Sequence, residues 1–355
     1  MRLRTALLSL LAAGLLGCPT GPDELETVTV TLENGTGFVD LQGGSAVAEA
    51  DGWDIKLDGW NLFLNGGESG NEKAGGIDME LLDLEMQFED MNRRNQIVWF
   101  LFFDSYACAL SDWWWYGLDG THTLFSNYHA YVVRRDDRDF AVQILDYYRV
   151  IDGAVEAGYP EFRWAEIPTD GSEPVVSTVD LDATAGGLSA DPDDPSNQWT
   201  YFSFDGGELA LTDSEALADD TLDLGFKRFN IKSNSGPSGP ASVTSVDPDR
   251  ERGETGEEVM DFTAANQEQW FLDSVDAWDG GDTQPFVEDA VQPVLRRWYQ
   301  GLPGSADEPV SLWDGRWFLA TDRTGEQIAK LRVIGFEGDA AAGPDSLTLE
   351  WAVLP

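Results

Sequence analysis

The sequence predicts an all-β protein built from two similar halves. Two eighteen-residue blocks, 53–70 and 222–239, align at a constant offset of 169, and six of their positions are identical. In the second block apolar residues alternate at the two-residue period of a strand, with one break. Clusters of Asn, Ser and Gly end each block and tolerate the positive φ of a turn. Helical periodicity is only local.

The repeat extends beyond these two blocks. The identical pairs within them are Asp54/Asp223, Asn61/Asn230, Asn65/Asn234, Gly67/Gly236, Ser69/Ser238 and Gly70/Gly239. Three further pairs of segments correspond in the same order, namely 38–44 with 201–207, 131–133 with 318–320, and 162–165 with 349–352. Four blocks in one order indicate a duplicated domain. The Pro- and Gly-containing stretch 168–174 reads as a linker, so the predicted domains are 18–167 and 175–355.

Individual elements can be placed within this plan. The β elements expected are a strand at 199–204, one bulged strand at 222–231, and a hairpin whose strands, 131–133 and 140–144, flank a charged turn. Short helices are expected at 286–299, where four apolar residues share one face, and at 79–91.

The N-terminus has the parts of a bacterial lipoprotein export signal. Arg2 and Arg4 precede an apolar stretch at 6–16, and Leu15-Leu16-Gly17-Cys18 resembles a lipobox. We therefore expect residues 1–17 to be removed and Cys18 to carry lipid. Pro19 favours the outer membrane, facing either the periplasm or the cell surface. The alternatives are a secretory signal with an incidental cysteine and a small apolar core segment.

Composition excludes several classes of function. The chain has 65 acidic and 22 basic residues and a formal charge of -43, which repels nucleic acid. Its 14 Trp, 9 Tyr and 18 Phe are typical of an ordered protein. Once Cys18 is acylated only Cys108 remains, so no internal disulfide can form. Cys108 lies in an apolar run and is expected to be buried.

The second block carries a family resemblance. The run from Leu222 to Ile231, Leu-Asp-Leu-Gly-Phe-Lys-Arg-Phe-Asn-Ile, leads into Asn234-Ser-Gly-Pro-Ser-Gly239 and resembles the strand and loop pattern of the HmuY family. The later segment 325–331, Gly-Glu-Gln-Ile-Ala-Lys-Leu, resembles that family's hairpin, whereas the first block has Gly59 in place of the family's Arg. The resemblance implies two tandem HmuY-like antiparallel β domains with a few short helices. It also implies an exported lipoprotein, and the best known members of the family capture haem.

Haem capture requires axial ligands, an apolar slot and cations near the propionates. The chain has two histidines, His122 and His129, both in the first half, so the second half cannot supply bis-histidine ligation. A loop closing around the ligand would be needed to bring both to one iron. The candidate ligands are His122 and His129, and the candidate pocket residues are Phe125, Tyr128, Arg134 and Arg135. The alternative is that both histidines are ordinary loop or strand residues, with the Trp run 113–115 in the core or facing a partner.

These observations favour ligand capture by binding rather than catalysis, with haem as the family-implied ligand. The partners expected are the membrane, through the lipid on Cys18, and haem or a haem-transport receptor. The runner-up is a non-catalytic surface lipoprotein that binds protein or polysaccharide through exposed aromatics. A secreted hydrolase is third, because no Gly-x-Ser-x-Gly elbow, zinc-ligand spacing or phosphate loop occurs.

Overall fold

The fold is all-β, as predicted. The computed structural model describes residues 25–79, 87–91, 101–121, 123–186, 198–250, 256–280, 285–305, 307–339 and 343–355. Every strand pairing in this part of the chain is antiparallel, and three short α-helices accompany the strands. Signal residues 1–17 and Cys18 lie outside the described ranges, so their assignment stays a prediction.

The elements are numbered in chain order. The strands of the first half are β1 (Glu26–Thr31), β2 (Thr36–Asp40), β3 (Ser45–Val47), β4 (Ile55–Asp58), β5 (Asn61–Leu64), β6 (Gly76–Asp78), β7 (Ser105–Ala107), β8 (Trp114–Tyr116), β9 (Leu124–Ser126), β10 (Tyr131–Arg135), β11 (Arg138–Ile151) and β12 (Ala154–Glu166). Those of the second half are β13 (Ser177–Asp180), β14 (Thr200–Ser203), β15 (Gly207–Leu209), β16 (Leu224–Lys227), β17 (Asn230–Ser233), β18 (Thr244–Val246), β19 (Ala290–Gln292), β20 (Tyr299–Gln300), β21 (Ser311–Leu312), β22 (Phe318–Thr321), β23 (Ile328–Asp339) and β24 (Gly343–Val353). The helices are α1 (Asp213–Ala216), α2 (Gly256–Met260) and α3 (Ala264–Ala277).

Four sheets contain most of these strands. Sheet I has the order β1-β24-β23-β22-β6, and sheet II has the order β13-β12-β11-β10-β18. Sheet III is β3-β2-β4-β5 and sheet IV is β15-β14-β16-β17. Three two-stranded ribbons join β7 with β19, β8 with β9, and β20 with β21.

Each large sheet takes strands from both halves of the sequence. In sheet I, strands β22, β23 and β24 are flanked by β1 and β6 from the start of the chain. In sheet II, strands β10, β11 and β12 are flanked in the same way by β18 and β13 from the second half. The pairing also corresponds in register, because Ile77 lies opposite Leu319 while Val246 lies opposite Val132. The two arrangements are therefore reciprocal.

The strands form two packing units. Sheets I and III enclose a core that includes Val30, Leu57 and Trp351, which we call unit 1. Sheets II and IV enclose a second core, unit 2, in which Phe162 stacks on Phe226 with ring centroids 5.1 Å apart. The chain leaves unit 1 after β6 and returns after α3, which packs on sheet II, and the two crossing segments pair as β7 and β19. Unit 2 is thus inserted into unit 1.

In each unit, a buried aspartate connects strands from the first half of the sequence with strands from the second half. In unit 1, Asp54 accepts hydrogen bonds from the backbone N–H of Leu41 at 2.7 Å and of Arg323 at 2.6 Å. Arg323 follows β22, on the far side of the sequence. Burial raises the pKa of Asp54, against the lowering effect of those N–H groups.

Unit 2 repeats this contact with Asp223. Its carboxylate accepts the backbone N–H of Phe204 at 2.7 Å and Nη1 of Arg135 at 3.1 Å. Arg135 ends β10, which belongs to the first half. Asp54 therefore connects sheet III to the β22–β23 hairpin of the second half. Asp223 connects sheet IV to the β10–β11 hairpin of the first half.

Two of the predicted elements were wrong and three were confirmed. The expected helix at 286–299 is extended chain containing β19 and the start of β20, with Leu295 and Trp298 buried in unit 1. The expected bulged strand is a tight hairpin, β16–β17, turning at Arg228, whose φ is +53°. Gly59 occupies the same place in the β4–β5 turn at +55°. The strand at 199–204 and both strands of the hairpin at 131–144 were correct.

The remaining expectations concern boundaries and helices. Linker 168–174 lies between β12 and β13, which pair with each other in sheet II. The domain limits 18–167 and 175–355 describe the sequence repeat and stay a prediction. Most of the expected helix at 79–91 falls outside the described residues. Helix α3, the longest in the described chain, had not been anticipated.

Candidate ligand site

The loop that follows β17, part of the family-like motif, has a structural role. Asn234 donates through Nδ2 to the carbonyl of Leu222 at 3.0 Å. Ser238 donates from Oγ to Asp289 Oδ2 at 2.5 Å, and the backbone N–H of Ser233 donates to Asp289 Oδ1 at 2.9 Å. The loop is therefore wrapped around a buried carboxylate, whose pKa burial raises to about 6.

The first block repeats this construction. Asn65 donates through Nδ2 to the carbonyl of Trp53 at 2.8 Å. Asp104 accepts the backbone N–H of Leu64 and of Val294 at 2.7 and 2.8 Å. Burial raises the pKa of Asp104 to about 7. The identical positions of the two loops thus serve local folding in both places, and a ligand site must be sought elsewhere.

His129 lies where β10 begins, beside the end of β18. Its Nδ1 is 2.9 Å from Oδ2 and 3.1 Å from Oδ1 of Asp247. The preceding residue, Tyr128, has a left-handed φ of +55°, and Asn127 Oδ1 accepts the N–H of His129 at 3.0 Å. The pairing of β10 with β18 brings the imidazole and the carboxylate together, although 118 residues separate them. Both side chains are only 14% exposed.

Aromatic rings surround this pair. The ring centroids of Tyr131 and Trp270 each lie 6.0 Å from that of His129. Tyr128 stacks on Phe262 at 5.9 Å, and Phe262 contacts Trp270 at 5.2 Å. We call His129, Asp247, Tyr128, Phe262 and Trp270 the His129 cluster.

Trp270 is held in place by a second aspartate. Its indole Nε1 donates to Asp249 Oδ2 at 2.8 Å, and the same oxygen accepts the N–H of Ala130 at 2.9 Å. No sequence pattern points to Asp247, Asp249 or Trp270, because their role depends on which strands become neighbours. Asp249 is itself buried.

The two arginines expected near the haem propionates already form ion pairs with aspartates. As consecutive strand residues, Arg134 and Arg135 point to opposite faces of sheet II. Arg134 donates to both carboxylate oxygens of Asp139 at 2.7 and 2.8 Å and lies over the ring of Phe286 at 4.0 Å. Arg135 binds the buried Asp223, as described above. Arg134 is also five residues along the strand from His129, about 16 Å at the usual rise.

The other candidates are spread along the first half. Phe125 lies opposite Trp115 in the β8–β9 ribbon, whose Trp115 is 40% exposed. His122 lies outside the described residues. Cys108 is buried, as expected; burial raises the pKa of its thiol far above the ordinary value, which favours an unreactive thiol.

Comparison with known proteins singles out one part of the chain. Residues 195–351 match the family model described as HmuY protein. The matched HmuY-like segment contains sheet IV and the β22–β24 strands of sheet I, so it contributes to both units. It supports the resemblance drawn from the β16–β17 block, and the match does not extend to the first half. No curated protein matches the chain. Within the described residues, no helix has the length and hydropathy of a membrane span.

The His129 cluster meets part of what haem requires. A metal-binding histidine usually donates its second ring N–H to a carboxylate, as Asp247 is placed to accept from His129. The surrounding aromatic side chains are suited to a flat apolar ligand. The cations proposed from the sequence, Arg134 and Arg135, do not fit, because both are bound to aspartates.

Proposed function

We propose that this protein is an envelope lipoprotein of the HmuY type that captures a ligand without catalysis, and that haem is the ligand. The observation that carries the proposal is the imidazole of His129, oriented by Asp247 and surrounded by aromatic rings. The match of residues 195–351 to the HmuY family supports it, since the best known relatives of that family capture haem.

His129 is the proposed axial ligand. With Nδ1 bound to Asp247, Nε2 is the ring nitrogen that would bind iron, and Asp247 would fix the tautomer and the ring plane. Tyr128 and Trp270 would contact the macrocycle. His122 remains a proposed second ligand, together with a pocket contribution from Phe125.

The proposal is tested by titrating hemin into residues 19–355 of the chain. We expect a saturable Soret shift in the wild type, which His129→Ala abolishes and Asp247→Asn weakens. Asp180→Asn is the matched control, because Asp180 pairs with Arg149 at the surface of the same sheet. A Soret spectrum unaffected by His129→Ala would rule out this ligand assignment. Absence of any saturable shift would rule out haem.

Attachment to the outer membrane through Cys18 is part of the same proposal. Seven residues separate Cys18 from Glu26, where β1 begins, so the tether is at most about 25–30 Å long. The proposal is that this holds unit 1 close to the lipid surface, on the periplasmic or the external side. Labelled palmitate should be incorporated by the wild type but not by Cys18→Ala.

One observation favours the runner-up. Trp115, the large aromatic residue at the centre of β8, is 40% exposed and faces Phe125 across the ribbon. Exposed aromatics of this kind are typical of contacts with protein or polysaccharide. If hemin does not bind, this ribbon becomes the first surface to test, by Trp115→Ala in binding to envelope polysaccharide.

We also propose that the chain arose by tandem duplication. What supports this is the agreement of contacts at equivalent positions: the aspartates 54 and 223, the Asn-containing loops, and the buried carboxylates at 104 and 289. The two units then differ in function, because His129 belongs to unit 2 and the described residues of unit 1 include no histidine.

A further inference from the structure

Arg163 occupies an unusual position in unit 2. It lies on β12 directly opposite Gln143 of β11, on the face of sheet II that α3 covers. Its guanidinium is 6.0 Å from the ring of Phe271, a residue of α3. Only 9% of Arg163 is exposed, and Gln143 is completely buried.

Each of these two side chains has a buried polar atom without a hydrogen-bond partner. Within the described part of the chain, the guanidinium of Arg163 makes no hydrogen bond and no ion pair, and its buried Nε lacks an acceptor. Gln143 donates through Nε2 to the carbonyl of Tyr128 at 2.6 Å, but its Oε1 lacks a donor. The carboxylates that influence Arg163 most, Glu268 and Glu161, do so without an ion pair. Buried polar groups are nearly always paired, and a buried unpaired charge is costly.

Arg163 and Gln143 lie next to the His129 cluster and are connected to it through Tyr128. The carbonyl that Gln143 binds belongs to Tyr128, whose ring stacks on Phe262. Phe262 in turn contacts Trp270, which lies beside His129. An unsatisfied cation therefore lies at one side of a largely aromatic cluster, between the sheet and α3.

We propose that Arg163, assisted by Gln143, binds a carboxylate group of the ligand captured at the His129 cluster. A guanidinium and a carboxylate form strong charge-assisted hydrogen bonds. Because Glu268 and Glu161 already lie near the Arg163 cation, the site suits a group with a single negative charge better than a phosphate with two. The ligand class is thus a flat apolar molecule with a carboxylate side chain. Haem is one such molecule. Only the identification of the ligand as haem rests on the proposed function.

The assignment also explains why the arginines chosen from sequence do not serve. Arg134 and Arg135 each already have an aspartate partner, whereas Arg163 has none among the described residues. From sequence alone Arg163 is one arginine within an alternating strand and carries no special signal.

The experiment compares two fluorescent probes, pyrenebutyrate and the neutral pyrenebutanol, for binding to residues 19–355. We expect the wild type to bind the carboxylate roughly tenfold more tightly than the alcohol, the value of about one charge-assisted hydrogen bond. Arg163→Gln should reduce that ratio to about one, and Arg163→Lys should retain part of it. Arg149→Gln is the matched control on the same hairpin, because Arg149 pairs with Asp180 and lies over Tyr159 at 4.2 Å.

The outcomes separate this inference from the haem proposal. If hemin fails to bind but the Arg163-dependent preference for pyrenebutyrate is present, haem is excluded and the carboxylate site stands. If hemin binds, Arg163→Gln should weaken hemin but not its dimethyl ester. A ratio that Arg163→Gln leaves unchanged, or no binding of either probe, overturns the inference and leaves a buried water between Arg163 and Gln143 as the explanation. The variants' melting curves confirm that each is folded.

Discussion

At the scale of single residues, the buried aspartates of the two blocks make similar contacts in units 1 and 2. Asp54 and Asp223 are fully buried, and each accepts a backbone N–H and contacts an arginine from a distant part of the chain. Removing one carboxylate leaves buried donors without an acceptor. The identity of these residues between the blocks therefore follows from packing and does not by itself identify a ligand site.

The corresponding prediction concerns Asp223. We expect Asp223→Ala to lower the free energy of unfolding by about 3–5 kcal/mol, because Arg135 and the N–H of Phe204 lose their partner. Asp205→Ala is the control, since Asp205 binds Arg138 at the surface with its side chain 57% exposed, and it should cost about 1 kcal/mol or less. Urea unfolding measures both. Equal effects of the two substitutions would contradict the role assigned to Asp223.

Residue identity was predictable where local chemistry decides it. The burial of Cys108 followed from its apolar neighbours. The Gly at 239 is explained only by the structure, because a Cβ there would lie 1.7 Å from Oδ1 of Asn234. The partners of His129 and Arg163 could not be predicted, since they depend on strands far apart in sequence.

At the scale of elements, the reciprocal arrangement of the hairpins has a direct test. Thr29 on β1 lies opposite Thr348 on β24, with their hydroxyl oxygens 3.0 Å apart. We expect the double variant Thr29→Cys/Thr348→Cys to form a disulfide on oxidation, because directly opposite residues of antiparallel strands lie within bonding reach. Mass spectrometry of tryptic peptides from residues 19–355 detects the link.

A control pair separates this from random oxidation. Thr178 lies on β13, the strand that takes the place of β1 in sheet II. Thr29→Cys/Thr178→Cys should remain reduced under the same conditions, because these strands belong to different sheets. Cross-linking of the control but not of Thr29→Cys/Thr348→Cys would contradict the assignment of β1 to the edge of sheet I.

The elements also show where periodicity fails as a predictor. The 286–299 stretch has apolar residues at helical spacing, yet its extended chain crosses unit 1 and buries Leu295 and Trp298 from one side. Trp298 donates from its indole to the carbonyl of Trp60, so tertiary contact overrides the local pattern. The short hairpin β16–β17 was missed because its turn uses Arg228 in place of the expected Gly or Asn.

At the scale of the whole molecule, buried carboxylates predict the response to pH. Burial raises the pKa of Asp104 to about 7, and those of Asp78 and Asp289 to about 6. Their unfolded values are near 3.9. Between about pH 4 and 7 the folded protein thus binds more protons than the unfolded chain, so the free energy of unfolding falls as pH rises through that interval.

We expect the melting temperature to be higher at pH 5 than at pH 8, by on the order of 5 °C. Repulsion among the charges of a -43 chain acts in the same direction but is screened by salt. A difference that persists in 1 M NaCl, and that Asp104→Asn reduces, is the signature of the buried groups. A melting temperature that increases from pH 5 to pH 8 would contradict this account.

The organisation of the whole chain was the least predictable level. Similarity between segments showed which blocks correspond, but it could not show which blocks pack together. The all-β class, the β10–β11 hairpin and the correspondence of the two motifs were within reach of the sequence. The insertion of unit 2 into unit 1 depends on contacts such as that between Val30 and Leu347, which are separated by most of the chain.

The nesting of the two units also sets the order in which they can be completed. Synthesis delivers Val30 among the first residues and Trp351 among the last, yet both belong to one core. Sheet III must therefore leave its apolar face uncovered while some 250 further residues are made, whereas unit 2 can close within that interval. Long-range pairing of this kind folds slowly, and uncovered strand edges aggregate. A chain with this topology depends on being kept from premature association until its last strand arrives.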